Sequence, residues 1–361
     1  MSRPVLRLLA DDLTGALDTA AELSTLCGPV PVRWEAALPS GSFALSSGTR
    51  EAPREAAIAA VRALAPALAG GDLAYRKLDS LLRGHVAAEL AACWATGAWT
   101  HAVIAPAFPA QRRIARGGQV LAGMPEGGWA PVAIPDWAAE GLEVRPGRPD
   151  APLPPGLAWF DAESEAELDR IAELGRAAAG PVLWCGSGGL ARALAGAKRV
   201  TPDATLRGPV LGLFGSDQDA TARQLAACGE AWLCIAGAGE AGRVARSLER
   251  GAALVSLALP AGLPRAAAAA RIATEFAALL RALPRPGTLL VAGGETLQAV
   301  CAALGARGLL ATGLLRPGIP RSVLQGGAWD GLPVVSKSGA FGEDALWRDL
   351  LAAQPLGSIT S

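Results

Sequence analysis

The chain has no asparagine, only two histidines (His85 and His101) and only three lysines among 33 basic residues. With two histidines a multi-histidine metal site is excluded, and no Cys/His cluster has the spacing of a zinc site. A serine hydrolase triad would need one of those two histidines, and neither is accompanied by a Gly-x-Ser-x-Gly elbow. The six cysteines are scattered, with no C-x-x-C pair, and read as small buried hydrophobes of a reducing cytoplasm. Net charge is zero and no long run of one sign exists, which argues against a nucleic-acid groove or an anionic membrane surface as partner. No apolar stretch approaches the roughly 18 uncharged residues of a membrane span. The N-terminus reaches Asp11 too soon for a signal-peptide core, so a buried first strand is expected and the protein is placed in the cytoplasm. What remains for chemistry is Asp, Glu, Lys, Arg, Ser, Thr and backbone amides.

What is present is a βα rhythm, the pattern of parallel sheets covered by helices. Val5–Ala10, Ala102–Ala105 and Pro181–Cys185 read as buried strands. Thr14–Leu26, Ala56–Leu68, Val86–Trp94 and Ser164–Ala178 read as helices. Residues 122–160, rich in Gly, Pro and Trp without period, read as a long irregular excursion. The rhythm breaks at Val200–Pro209 and restarts with Val210–Phe214, a helix from Asp219, Thr288–Ala292 and a helix from Glu295. The expected architecture is α/β: two three-layer domains with mainly parallel sheets, residues 1–200 and 209–361.

Two of the three lysines sit in chemically dense segments, Lys77 through Gly84 and Lys337 through Gly342. In an arginine-rich chain, a lysine supplies what arginine does not, a compact point charge that a glycine loop can bring to a phosphate. At Leu8–Ala16 a buried strand ends in Asp11 and Asp12 before a helix. Ligands in open parallel sheets bind beyond the carboxyl ends of strands. Adjacent carboxylates repel, which suits a proton acceptor, although one of them can instead cap the helix starting near Leu13. In the second segment Lys77 and Asp79 share a strand face, with Ser80 and Arg83 following. That set suits a small polyhydroxy carboxylate, the cations taking the acid and Asp79 and Ser80 the hydroxyls. Arg50, after Ser46-Ser47-Gly48-Thr49, can clamp the same carboxylate. Arg113 follows the rigid Pro106–Pro109 loop.

Beyond Pro209 the chemistry changes. Leu211–Ser216 and Leu289–Thr296 each read as strand, tight glycine loop and helix start, a geometry that aims backbone N–H groups at an anion. With Lys337–Gly342 and the Pro317–Pro320 turn they point to a nucleotide site, although no Walker A or Rossmann glycine motif is present.

Taken together and in order, Ala10–Ala16, Lys77–Gly84, Pro106–Pro109, Gly186–Ala191, Gly215-Ser216, Gly293–Thr296, Pro317–Pro320 and Lys337–Gly342 make the chain resemble the four-carbon acid sugar kinase family. The resemblance implies an N-terminal domain that binds a sugar acid, a C-terminal domain that binds ATP, Mg²⁺ on the phosphates, and chemistry in a cleft between them. It implies a substrate set of Asp11, Asp12, Arg50, Lys77, Asp79, Ser80 and Arg83, to which the loop reading adds Arg113, and the mechanism expected of that set takes Asp12, or else Asp11 or Asp79, as the base. It implies a nucleotide set of Ser216, Gly293, Gly294, Glu295, Thr296, Lys337, Gly339 and Gly342. The partners are then threonate, erythronate or a 3-oxo-tetronate together with ATP, with no nucleic acid or membrane, and a homodimer is allowed for. Three departures mark this chain: His85 stands where the family has asparagine, Arg112-Arg113-Ile114 replaces G-R-T, and an Asp-Pro stretch is absent. A non-catalytic sugar-acid or nucleotide sensor, or a phosphosugar lyase or isomerase, are the alternative classes.

Overall fold

The apolar runs that close the βα units become strands buried on both faces, as parallel sheets require. The computed structural model describes residues 2–35, 40–124, 126–339 and 341–354. The chain divides into two compact units, Met1–Thr201 and Pro202–Ser361.

In the first unit the strands are β1 (Leu6–Ala10), β2 (Val30–Arg33), β3 (Phe43–Ser46), β4 (Leu73–Lys77), β5 (His101–Ala105), β6 (Arg113–Arg116), β7 (Gln119–Gly123), β8 (Trp129–Pro131), β9 (Val144–Pro146), β10 (Gly156–Trp159) and β11 (Val182–Gly186). Its helices are α1 (Leu13–Glu22), α2 (Ser24–Cys27), α3 (Arg54–Leu64), α4 (Val86–Trp94), α5 (Glu165–Arg176) and α6 (Gly188–Ala195). The main sheet runs β2-β3-β1-β4-β11-β5-β10-β9, every pair parallel. Helices α1 and α5 pack against α6, and α3 packs against α4. β6, β7 and β8 form a small antiparallel sheet.

The second unit starts with β12 (Val210–Phe214), β13 (Trp232–Ile235), β14 (Ala252–Leu257) and β15 (Thr288–Ala292), followed by β16 (Gly308–Arg316), β17 (Ile319–Gln325) and β18 (Pro333–Lys337). Helices α7 (Asp219–Ala226), α8 (Ala241–Glu249), α9 (Arg265–Ala282), α10 (Gly294–Ala303) and α11 (Leu346–Ala352) accompany them. The order β13-β14-β12-β15-β18 is parallel, and β17 and β16 continue it antiparallel. Phe214 and Trp347 meet edge-on at 5.8 Å in the apolar core, joined by Leu254, Leu290 and Val335.

The helix expected over Thr14–Leu26 is interrupted at Leu23 and appears as α1 and α2. That over Ala56–Leu68 tightens into a 3₁₀ turn at Ala65, where Pro66 cannot continue the α-helical ladder. The larger correction concerns residues 122–160. β8, β9 and β10 lie there, and β10 is a sheet strand between β5 and β9. Only four residues long, β10 carries too little pattern to stand out among the surrounding glycines and prolines. Pro317 and Gly318 form the turn joining β16 to β17, with Gly318 at φ 76°, a left-handed conformation that favours glycine.

Candidate functional sites of the two units

At the carboxyl end of β1 the two acids take different jobs. Asp12 caps α1, its Oδ1 accepting the Gly15 amide at 2.9 Å and its Oδ2 the Thr14 hydroxyl at 2.5 Å. Asp11 is buried and faces Arg50, whose Nε and Nη2 each donate to it at 2.8 Å. Arg50 also donates Nη2 to Asp12 Oδ1 at 2.9 Å and pairs Nη1 with Asp12 Oδ2 at 2.8 Å, and its Nη2 lies 3.4 Å from Asp79. One guanidinium therefore binds three carboxylates. Burial works to lower the Arg50 pKa, but Asp11, Asp12 and Asp79 together hold it well above its ordinary value.

Asp79 opens the turn after β4. Its Oδ2 accepts the amides of Leu81 and Arg83 at 3.1 and 3.3 Å, and Arg83 closes a bidentate pair at 2.9 and 2.8 Å. Burial pushes the Asp79 carboxyl up, yet the Arg83 hydrogen bonds and the charges of Arg50, Arg83 and Lys77 leave it well below the usual carboxylate range. Ser80 is buried in the same turn. Gly84, at φ 84°, faces Asp11 and Arg50 so closely that a Cβ would stand 3.3 Å from Asp11 Oδ2.

Lys77, buried at the end of β4, donates to the Leu78 carbonyl at 2.7 Å and forms no ion pair among the described residues. A Cβ on Gly15 would come 2.5 Å from Asp12 Oδ1 and 3.3 Å from the Lys77 Nζ, so the glycine of the first motif makes room for both the cap and the lysine of the second. Arg113 starts β6. Burial lowers its pKa, Asp79 opposes that, and Arg83 and Arg112 reinforce it, so Arg113 belongs to the same electrostatic neighbourhood. The first unit thus gathers all eight candidate residues of the substrate set.

Behind this cluster lies a support that the sequence did not reveal. Arg76 and Glu89 form a fully buried ion pair, and the Thr49 hydroxyl donates to the other oxygen of Glu89. Arg76 also donates to the Leu9 carbonyl at 3.1 Å, and Ser47 bonds Thr49 and the Ala10 carbonyl at 2.8 and 3.0 Å. The residue before Arg50 is therefore tied to β1 and α4. His85 bonds the Ala52 carbonyl at 2.7 Å and steadies the far side of the same loop. The Tyr75 hydroxyl donates to the Ser187 carbonyl at 2.6 Å, and Ser187 Oγ to the Ala107 carbonyl at 2.7 Å.

Asp18 and Glu22 were missed too. With Thr14 they form a polar stripe on α1 at a spacing of four, legible as i, i+4, i+8, and all three are buried. Burial raises Asp18 to about 6, with Lys77 opposing and Asp12 adding. Burial, with Asp18 adding, takes Glu22 to about 8.

In the second unit the loops after β12, β15 and β18 converge. A Cβ on Gly339 would lie 1.9 Å from Ser216 Oγ, and one on Gly215 would lie 2.4 Å from Thr296 Oγ1. Gly293, at φ 104°, faces Thr296 and Ser216 and leads into α10 at Gly294. Thr221 donates to the Gly339 carbonyl at 2.9 Å, and Gln224 to the carbonyls of Phe341 and Glu343 at 2.9 and 3.2 Å. Gly342, at φ 90°, packs near Gln224 and Leu346; Ala340 of the same motif lies outside the described residues. Glu295 is exposed and paired with Arg265 at 2.7 Å. Lys337 is buried and donates to the carbonyls of Ser338 and Gly339 at 2.9 and 3.0 Å. Helix starts and glycine loops meeting around two hydroxyls are a cradle for an anion.

Residues 6–141 match the family described as a sugar-binding N-terminal domain, and residues 236–346 the one described as a nucleotide-binding C-terminal domain. A D-threonate kinase of Bordetella bronchiseptica is 32% identical over 413 residues, covering 96% of this chain and 97% of that protein. This chain belongs to the four-carbon acid sugar kinase family. Membership makes it a sugar-acid kinase by class, with a nucleotide-binding C-terminal half. A second D-threonate kinase, from Cupriavidus necator, is 32% identical over 421 residues, covering 94% of this four-carbon acid sugar kinase and 96% of that protein. A solved structure from Salmonella typhimurium LT2 superposes with a TM-score of 0.70 at 21% identity, covering 96% of this chain and 98% of its own, and so shares the fold. No helix among the described residues is long and apolar enough to cross a membrane.

Proposed function

We propose that this protein phosphorylates a hydroxyl of a four-carbon sugar acid at the expense of ATP, with D-threonate as the leading acid. The observation that carries this reading is the cluster at the strand ends of the first unit, where Arg50, Arg83, Lys77 and Arg113 gather around Asp11, Asp12 and Asp79.

In this reading the groups divide the labour. Arg50 is committed to carboxylates of the protein through Nε, Nη1 and Nη2, so it holds the site together. Arg83, with 48% of its side chain exposed, and Arg113 are the cations that receive the acid group. Lys77 and Ser80 face the hydroxyls. Asp79 stays ionised and tied to Arg83, which makes it a poor proton acceptor. Asp11 is 3% exposed and Asp12 16%, so Asp12 is the carboxylate that takes the hydroxyl proton. In the second unit the Ser216, Gly293–Thr296 and Gly339 loops receive the triphosphate. Mg²⁺, when bound, would be held mainly by the nucleotide's phosphates and would supply charge neutralisation there, a mode that needs no all-protein cage.

Purified protein with Mg-ATP is expected to release ADP only when a four-carbon sugar acid is added. A lyase or isomerase would consume its substrate without ATP, and a sensor would bind without turnover; either result overturns the proposal.

The support behind Arg50 makes a second expectation. Thr49→Val removes the hydroxyl that Glu89 accepts while leaving the Arg76–Glu89 pair intact. A hydrogen bond to a charged group contributes about 1.5–3 kcal/mol. The KM for the sugar acid should rise about tenfold, the KM for ATP should stay put, and Thr49→Ser should restore the acid. Equal changes in both KM values would show that Thr49 does not act through Arg50.

A further inference from the structure

Lys337 is a buried lysine with two carbonyl acceptors and no acid partner among the described residues. Its Nζ donates to Ser338 O at 2.9 Å and Gly339 O at 3.0 Å. A neutral amine has two N–H donors and an ammonium has three. The two carbonyls therefore take up both N–H donors of the neutral form, and the ammonium would carry a third donor with no acceptor among the described residues. The acidic groups on the elements that meet at this loop are few: Asp217 precedes α7, Asp219 is its first residue, and Glu295 of α10 pairs with Arg265. From the segment after β18 come Glu343 and Asp344, the latter paired with Arg223. None forms an ion pair with Lys337 among the described residues. The same lysine stands directly behind Gly339, the residue that closes on Ser216 in the anion cradle.

We propose that Lys337 takes up a proton when a nucleoside triphosphate binds, so that ATP binding is coupled to protonation of this one side chain. The inference rests on the reading of the second unit as the nucleotide site. Triphosphate charge arriving at the cradle supplies the compensation that the protein withholds, and the third N–H of the ammonium gains an anionic acceptor. The amine's environment agrees: burial alone takes Lys337 from its ordinary value down to about 7. The second unit has no histidine, since His85 and His101 both belong to the first.

The sign follows from linkage. A group whose pKa is raised by the ligand binds that ligand best in the protonated state, so affinity is full below the free-state pKa and falls as pH rises above it. ATP affinity should drop about tenfold per pH unit between about pH 7 and pH 9.

The test is calorimetry of Mg-ATP binding to the full chain at pH 8, in buffers of different ionisation enthalpy. At that pH the phosphates are already ionised, since a phosphate second ionisation lies near about 6. Uptake approaching about one proton per ATP, lost in Lys337→Met, supports the proposal. Binding heat independent of buffer, or uptake that persists in Lys337→Met, overturns it while leaving the nucleotide site intact. Absence of any ATP binding overturns the nucleotide reading and this inference with it. If Lys337→Met does not fold, the wild-type affinity decides, and a flat profile from pH 7 to pH 9 is the contradicting result.

Discussion

Asp12→Asn is expected to lower kcat by about 10²–10⁴, the usual contribution of a positioned general base. The substitution suits the question because asparagine caps a helix as well as aspartate does. Its side-chain oxygen can still accept the Gly15 amide that Asp12 now holds at 2.9 Å. What is lost is charge: the proton acceptor, and half of the pairing to Arg50 at 2.8 and 2.9 Å. Asp11 keeps Arg50 in place through its own two bonds. ATP binding in the second unit should be unchanged. Steady-state kinetics alongside ATP calorimetry checks both halves of the expectation. Activity within a few-fold of wild type would remove Asp12 from the role of base and leave it as a cap.

Gly339→Ala should act in the other half of the molecule. Gly339 has an ordinary backbone conformation, so the effect is steric. The new methyl would stand 1.9 Å from Ser216 Oγ, 2.8 Å from Ser216 Cβ and 3.0 Å from Gln218 Cγ. Rotating the Ser216 hydroxyl relieves the first contact but not the second, so the loop must shift. Thr221 Oγ1, Lys337 Nζ and Gln224 Nε2 resist that shift through their bonds to the carbonyls of Gly339, Ser338, Phe341 and Glu343. Overpacking of this kind costs about 1–3 kcal/mol, so the KM for ATP should rise about 10–100-fold. The KM for the sugar acid at saturating ATP should move little. An unchanged ATP KM would mean that the cradle around Ser216 does not hold the nucleotide.

Much of this was legible in the sequence, for reasons that differ by region. Val86–Trp94, Val210–Phe214 and Thr288–Ala292 are found where the pattern predicts them, because each is an unbroken apolar or periodic run with clear boundaries. The candidate site residues of the first unit lie in short, dense motifs at strand ends, so topology alone brings Asp11, Arg50 and Asp79 together. β10 was hidden because four residues carry little pattern. The Arg76–Glu89–Thr49 support was hidden because its members are 13 and 40 residues apart in sequence and meet only when β3, β4 and α4 pack. Asp18 and Glu22 could have been found: two acids and a threonine at a spacing of four, on a helix otherwise made of Ala, Leu, Gly and Thr, form a stripe that packing must bury. The division of labour between Asp11 and Asp12 lay beyond any pattern, since it depends on which carboxylate turns inward to Arg50.

The central claim is transfer of phosphate from ATP to a sugar acid. The most direct measurement is ³¹P NMR of the protein with Mg-ATP and D-threonate. The account predicts that the γ-phosphate signal of ATP disappears as a phosphomonoester signal and ADP grow in step. Growth of inorganic phosphate alone, or a phosphorylated product that forms without loss of the γ-phosphate, would contradict it.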